Sequence, residues 1–302
     1  MLVTRSEYLT SAYQDMVEQV RPNCPDLTCV VYFDTNDWAD LLAAGESVSG
    51  QDLSARMASL SQNDDINIQY TSGTTGFPKG ATLSHRAILN DAKFVGMMCD
   101  YDETDRVAIP VPFYHCFGMV MGNLCCAVFG ATMVIPCPTF DPAAVLRVVE
   151  AERCTSLYGV PTMFIAELGH TDLGTRDLSS LRTGIMAGSP CPIEVMRKVI
   201  DQMNMSDVTI AYGMTETSPV STQTSTTDSV EHRVTTVGRV LPHVESKLVD
   251  PDTGETVERG GEGEYCTRGF PVLLGYCNDP AKTPEANNAH RCIPSANLPT
   301  MD

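Results

Sequence analysis

Between Tyr70 and Gly80 the chain reads Tyr-Thr-Ser-Gly-Thr-Thr-Gly-Phe-Pro-Lys-Gly, a run of residue types suited to holding an anion. Glycines at 73, 76 and 80 let the main chain turn tightly and expose its N–H groups. The hydroxyls of Thr71, Ser72, Thr74 and Thr75 add donors, and Lys79 adds a mobile positive charge. Such a loop can wrap phosphate oxygens. It is not a Walker A loop, because Gly-Lys-Ser/Thr is absent and Lys79 follows Pro78, so P-loop kinase or GTPase chemistry is disfavoured. The bland alternative is a Gly/Thr-rich surface loop.

Charge narrows the class of ligand. The 302 residues carry 20 Lys and Arg against 38 Asp and Glu, a net charge of -18, which repels nucleic acid at long range. A small anion is still admissible, since backbone dipoles and one lysine dominate a pocket locally. The 12 cysteines are too sparse for a disulfide scaffold and form no Cys-x-x-Cys pair, and the six histidines do not fall at zinc-ligand spacing near them. Reduced thiols and no structural metal are expected. Residues 113–140 are uncharged and long enough to span a bilayer, but Pro136, Pro138, three glycines, Asn123 and Thr132 break the stretch. A buried helix followed by a buried strand is the expectation, with no transmembrane segment and no nucleic-acid partner.

Short β-rich runs alternate with helical ones, the pattern of parallel strands joined by crossover helices. Strands are predicted at 28–33, 66–71, 106–110, 131–136, 156–158, 184–187 and 208–211. Ser84 precedes Ala87, Ile88, Ala92 and Val95 at helical spacing, Asp141-Pro142 caps a helix over 143–152, and Pro192 opens one ending near Met203. The Ser/Thr-rich stretch 215–229 reads as a loop. Beyond about residue 230 the texture turns to strands and turns, at 235–240, 246–249 and 263–267, with a tight turn at 250–254. The domains expected are an α/β region over 1–229, a β-rich subdomain over 230–276, and a disordered tail over 277–302.

With these motifs in place, the loop at 70–80 resembles the phosphate-binding signature of the adenylate-forming (AMP-binding) superfamily, which includes acyl-CoA synthetases, luciferases and peptide-synthetase adenylation domains. Ala211-Tyr212-Gly213-Met214-Thr215-Glu216 is similar to its second core signature, and Pro112-Phe113-Tyr114-His115-Cys116-Phe117-Gly118 to the segment bearing its gating aromatic. Ala187-Gly188-Ser189-Pro190 resembles the adenine-side turn, and Val237-Gly238-Arg239, Gly261-Glu262-Gly263-Glu264 and Gly275-Tyr276 resemble the β-rich subdomain. The likeness spans 60–285 and is strongest to medium-chain acyl-CoA synthetases.

The resemblance implies an α/β fold: an incomplete adenylate-forming large domain with a parallel-sheet part and a β-rich subdomain, lacking the C-terminal small domain. It implies an acid-thiol ligase using ATP, Mg2+ and coenzyme A, which adenylates a carboxylic acid, a medium-chain fatty acid by this likeness, and passes the acyl group to the thiol. By the same likeness Thr71, Ser72, Gly73, Thr74, Thr75, Gly76, Phe77, Pro78 and Lys79 hold the outer phosphates, Thr215 donates to the α-phosphate, and Glu216 binds magnesium. Tyr212 stacks on adenine beside Gly188 and Ser189, Gly213 allows close backbone approach, and His115 lines or gates the acyl tunnel. An intracellular location follows, mitochondrial or cytoplasmic. Where the family continues to a Thr-Gly-Asp, a hinge, an arginine and a lysine, this sequence has none, which implies weak or absent turnover and leaves open a non-catalytic ATP- or acyl-binding role.

Overall fold

A computed structural model describes residues 1–71, 77–283, 292–295, 297 and 299–301. The chain divides into two compact units, 1–61 and 62–302. In the first, β1 (Leu2–Thr4) pairs in parallel with β2 (Val30–Tyr32), accompanied by α1 (Tyr13–Val20), α2 (Asn36–Gly45) and α3 (Gly50–Ala58). Thr35 and Ser49 cap the last two helices by accepting N–H bonds from Asp37 and Asp52. Val31 is its single buried apolar side chain, so this unit has little core of its own.

The second unit begins with β3 (Asp65–Thr71) and β4 (Lys79–Ser84), followed by α4 (His85–Met98), β5 (Arg106–Ala108), a π-helix at Phe117–Leu124, α5 (Cys125–Phe129) and β6 (Thr132–Val134). Then come α6 (Pro142–Ala151), β7 (Ser156–Gly159), α7 (Pro161–Leu168), β8 (Thr183–Ala187), α8 (Ile193–Met203) and β9 (Asp207–Gly213). The chain continues through β10 (Val220–Gln223), α9 (Val230–Thr235), β11 (Arg239–Val240), β12 (Val244–Val249), β13 (Glu264–Gly269), β14 (Gly275–Tyr276) and β15 (Ile293–Pro294). The main sheet runs β11-β10-β9-β8-β7-β5-β6. Its five strands from β9 to β6 are parallel; β10 and β11 complete it antiparallel.

Alternation along these strands splits the core in two. Tyr158, Ile185 and Ala187 pack on one face with α4 and the π-helix, while Leu157, Met186 and Val208 pack on the other with α6, α7 and α8. The 113–140 stretch folds as the π-helix, α5 and β6; the π-helix is mostly buried as expected, but β6 is an edge strand of which only Val134 is buried, and no helix among the described residues is long and apolar enough to cross a membrane. Ser84 caps α4 through the Ala87 N–H and Asp141 caps α6 through the Ala143 N–H, as their spacing predicts.

Several sequence expectations change. The 215–229 stretch is not a loop throughout, because β10 sits buried between β9 and β11. Two of its polar side chains are paired inside, Ser221 Oγ accepting from Thr267 Oγ1 at 3.0 Å and Gln223 Nε2 donating to Thr209 Oγ1 at 3.0 Å, while Thr222 Oγ1 and Gln223 Oε1 are buried without a partner among the described residues. Pairing of this kind lets a Ser/Thr-rich segment serve as an inner strand. The strand expected at 235–240 shortens to Arg239–Val240, since Ser229 accepts the His232 N–H and starts α9. Part of the 277–302 stretch expected to be disordered is placed, with β15 pairing on β13 and Tyr265 N–H donating to Asn297 O at 3.1 Å.

One carboxyl in this core has no partner. Glu167 on α7 is 1% exposed, neither of its oxygens is hydrogen-bonded among the described residues, and burial pushes its pKa well above the usual range. A carboxyl with a raised folded pKa favours the fold fully only below its unfolded value, and that contribution is lost as pH rises from about 4.3 towards the folded value. We therefore expect Glu167→Met to raise the urea midpoint at pH 8 by the equivalent of roughly 1–3 kcal/mol, with the gain shrinking at pH 5. A gain independent of pH would contradict the assignment.

Candidate active site

The loop at 70–80 connects two antiparallel strands. Thr71 pairs with Lys79 and Tyr70 with Gly80, so the described ends of the stretch belong to a β-hairpin, and β4 intervenes before α4. Ser72, Gly73, Thr74, Thr75 and Gly76 lie outside the described residues. At the hairpin's ends Thr71 Oγ1 donates to Lys79 O at 3.5 Å, Phe77 and Pro78 are exposed, and Lys79 is half-buried. Its ammonium nitrogen lies 5.3 Å from the centroid of the Tyr276 ring, within cation–π range.

The second constellation forms where β8 and β9 end. These strands are parallel neighbours with Ala187 opposite Ala211, so Gly188 and Ser189 emerge beside Tyr212, at the carboxyl edge where open α/β sheets present their ligand crevices. Gly188 and Ser189 are exposed, and Gly188 holds φ +90°, where glycine is favoured. Tyr212 is half-buried; its ring meets Tyr265 edge-on at 5.6 Å and its hydroxyl accepts from Asn297 Nδ2 at 2.8 Å.

Beyond Tyr212 the chain crosses itself closely. A Cβ at Gly213 would lie 1.9 Å from the Pro219 carbonyl oxygen. The intervening 3-10 turn Thr215–Thr217 is fastened by Thr217 Oγ1, which donates to Pro219 O at 2.9 Å and accepts the Met214 N–H at 3.1 Å. Ser218, at φ +69°, donates to Pro271 O at 2.6 Å, and Leu273 N–H donates to Glu216 O at 2.9 Å. A non-glycine residue in the left-handed region costs roughly 1–2 kcal/mol, which these contacts offset.

Glu216 itself is half-buried, and Tyr276 donates its phenol proton to Glu216 Oε1 at 2.8 Å. Burial and the Glu216 charge both raise the Tyr276 pKa, keeping the phenol protonated as a donor. Oε2 accepts no hydrogen bond among the described residues. No group of three or more His, Cys, Asp or Glu among those residues can cage a metal. One carboxylate with a free hard oxygen fits Mg2+, which takes few protein ligands and fills its octahedron with phosphate and water, and does not fit zinc.

His115 and Cys116 follow β5 and lead into the π-helix. His115 Nδ1 accepts the Phe117 N–H at 3.1 Å, and desolvation lowers its pKa, so the ring is neutral with its proton on Nε2. Cys116 is fully buried, and burial pushes its thiol up to about 12, so it is no nucleophile partner for His115. Two supporting residues carry no role in the sequence reading. Tyr276 stands in a motif noted only as resembling the β-rich subdomain. Asp91, 0% exposed on α4, accepts the Val220 N–H at 3.1 Å, where a register shift interrupts the β9–β10 ladder. Its signal is an acid among Ala87, Ile88, Ala92 and Val95, on the helix face that should be apolar.

The AMP-binding enzyme family model matches residues 1–277, nearly the whole chain. The chain belongs to the AMP-binding enzyme family. This AMP-binding chain is 42% identical over 321 residues to the mitochondrial medium-chain acyl-CoA ligase ACSF2 of Danio rerio, with 100% of the chain and 53% of that protein covered. It is 45% identical over 249 residues to the acyl-CoA ligase SID4 of Ajellomyces capsulatus, covering 82% of the chain and 42% of the relative. Apo MatB from Rhodopseudomonas palustris superposes with a TM-score of 0.81 at 25% identity, over 99% of this chain and 56% of that one. The chain thus spans about half the length of the curated relatives it matches. The adenylate-forming α/β fold of the sequence reading is borne out.

The crossing at Gly213 gives a direct check. Gly213→Ala drives a methyl into backbone atoms that the Thr217 and Ser218 bonds hold fixed, and overpacking of this kind costs typically about 1–3 kcal/mol. The expected result is a lowered urea midpoint; an unchanged midpoint would show that the turn gives way.

Proposed function

We propose that this chain carries the acid-activating site of an ATP-dependent carboxylic acid–CoA ligase. The observation that supports the reading best is the meeting of two separate motifs on one side chain: Lys79, from the hairpin, lies over the ring of Tyr276, whose hydroxyl holds Glu216, from the turn after β9. A cation and a carboxylate with a free oxygen, joined through one side chain, form a charge pattern that a metal-bound triphosphate complements.

In the proposed reaction a carboxylate oxygen of the acid attacks the α-phosphorus of ATP, the bond to the β-phosphate oxygen breaks, and pyrophosphate leaves. The coenzyme A thiol then attacks the acyl carbon, its proton passing to solvent, and AMP departs with the bonding pair. Lys79 and the hairpin turn neutralise charge on the leaving pyrophosphate, and Thr215 donates to the α-phosphate. Glu216 holds Mg2+, which when bound supplies further charge neutralisation on the phosphate oxygens. Gly188, Ser189 and Tyr212 line the adenine side. His115, neutral and with its proton on Nε2, offers a donor to the reacting carboxylate.

A medium-chain fatty acid is the proposed substrate, a class that the Danio rerio relative's name supports. An intracellular setting, mitochondrial as that relative's name has it or cytoplasmic, suits a chain whose described cysteines form no disulfide.

The test is pyrophosphate release from ATP, Mg2+ and octanoate, read beside the melting temperature. ATP at a hundredfold excess over its Kd should stabilise the fold by about 2.7 kcal/mol. Lys79→Ala and Glu216→Ala should each cut release on the order of a hundredfold. Release that survives both substitutions would overturn the assignment, while stabilisation by ATP with no release would favour a binding role without catalysis.

A further inference from the structure

Tyr276 makes two contacts that its place in a two-residue strand does not require. β14 pairs with β4 through Gly275 opposite Thr82 and Tyr276 opposite Ala81, and Cys277 N–H donates to Gly80 O at 2.8 Å. These are main-chain bonds, available to most residue types. Thr283 Oγ1 also accepts the Tyr276 N–H at 3.0 Å, so the backbone is fixed from both sides. The side chain is then free to serve elsewhere, and each end of it meets a charged group: the ring lies under Lys79, and the hydroxyl reaches Glu216 Oε1.

The chemistry of these contacts is directional. A carboxylate accepts at four lone-pair sites on two oxygens, and a phenol that occupies Oε1 orients the group and leaves Oε2 for another ligand. A ring face under an ammonium restricts its position without consuming any of its three N–H donors. Asp279 pairs with Lys282 at 2.9 Å, which holds its carboxyl in the charged form. Lys79 thus lies over the Tyr276 ring, and Glu216 is held by the Tyr276 hydroxyl on Oε1 and by the Leu273 N–H on its main-chain oxygen.

We propose that Tyr276 is a positioning residue for both the metal and the phosphates: its hydroxyl presents Glu216 to the metal through a single oxygen, and its ring seats Lys79 for the outer phosphates. The inference rests on the nucleotide reading above and deepens it. Because the hydroxyl and the ring serve different ligands, removing one leaves the other function standing, which a residue that merely fills space would not do.

The experiment uses the 302-residue chain and four variants: Tyr276→Phe, Tyr276→Leu, Glu216→Gln and the Phe/Gln double substitution. ATP is titrated calorimetrically in EDTA, and Mg2+ is then titrated at fixed ATP. Tyr276→Phe should raise the Mg2+ concentration at half-saturation about tenfold, the loss of one hydrogen bond to a charged acceptor, with the metal-free ATP Kd within about twofold of the parent. Tyr276→Leu should in addition weaken metal-free ATP by about two- to fivefold, the scale of an exposed cation–π contact. In the Glu216→Gln background, Tyr276→Phe should change the Mg2+ dependence less than about twofold, because the group it orients is gone. If Leu unfolds the chain, Phe, which keeps the ring packing, and the double substitution still decide the matter.

A Phe variant with the parental Mg2+ dependence, or one whose shift persists undiminished beside Glu216→Gln, overturns the proposal and leaves the nucleotide reading intact. A parent chain that binds no ATP with or without Mg2+ overturns that reading, and this proposal with it.

Discussion

Lys79 and Glu216 stand far apart along the chain, and they share a neighbour because β14 pairs with β4. That antiparallel pairing sets Tyr276 opposite Ala81, two residues beyond Lys79, while the strand's approach through Pro271 and Leu273 takes up Ser218 Oγ and the Glu216 carbonyl. The same few residues thus close the small sheet and fasten the turn after β9. Without the pairing, the hairpin end and the turn would be two unconnected polar loops, and each would lose conformational order that the other imposes.

A second constraint is electrostatic. The chain carries a net charge of -18, so its distant field opposes a polyphosphate, and any binding must come from the local arrangement. Near the hairpin's described ends that arrangement is one lysine over a ring face and a carboxylate. Under the proposed function, capture of the nucleotide as its metal complex would resolve the conflict, since the ion would convert Glu216 from a repelling group into a ligand.

Much of the local chemistry was legible in the sequence. Ser84 and Asp141 cap the helices that their spacing predicts, and the apolar runs at 66–71 and 184–187 are strands. One failure is local, the Ser229 cap that starts α9 where a strand was expected; the others are contacts made across long sequence separations. β10 reads as a loop because four polar-rich residues look solvated until Thr267 and Thr209 are seen to pair with them. Of the proposed site, the motifs themselves could be read, and the juncture at the ends of β8 and β9 follows from their parallel order. Tyr276 and Asp91 escaped assignment, since a tyrosine beside a glycine and an acid in a helix gain meaning only from Glu216 and the Val220 N–H.

The most direct test is a crystal structure of the chain with Mg2+ and a non-hydrolysable ATP analogue. The account predicts the outer phosphates within hydrogen-bond distance of Lys79 Nζ, the ion on Glu216 Oε2 with Tyr276 still bonded to Oε1, and the base beside Gly188 and Tyr212. A triphosphate seated elsewhere, with Lys79 and Glu216 untouched, would contradict it.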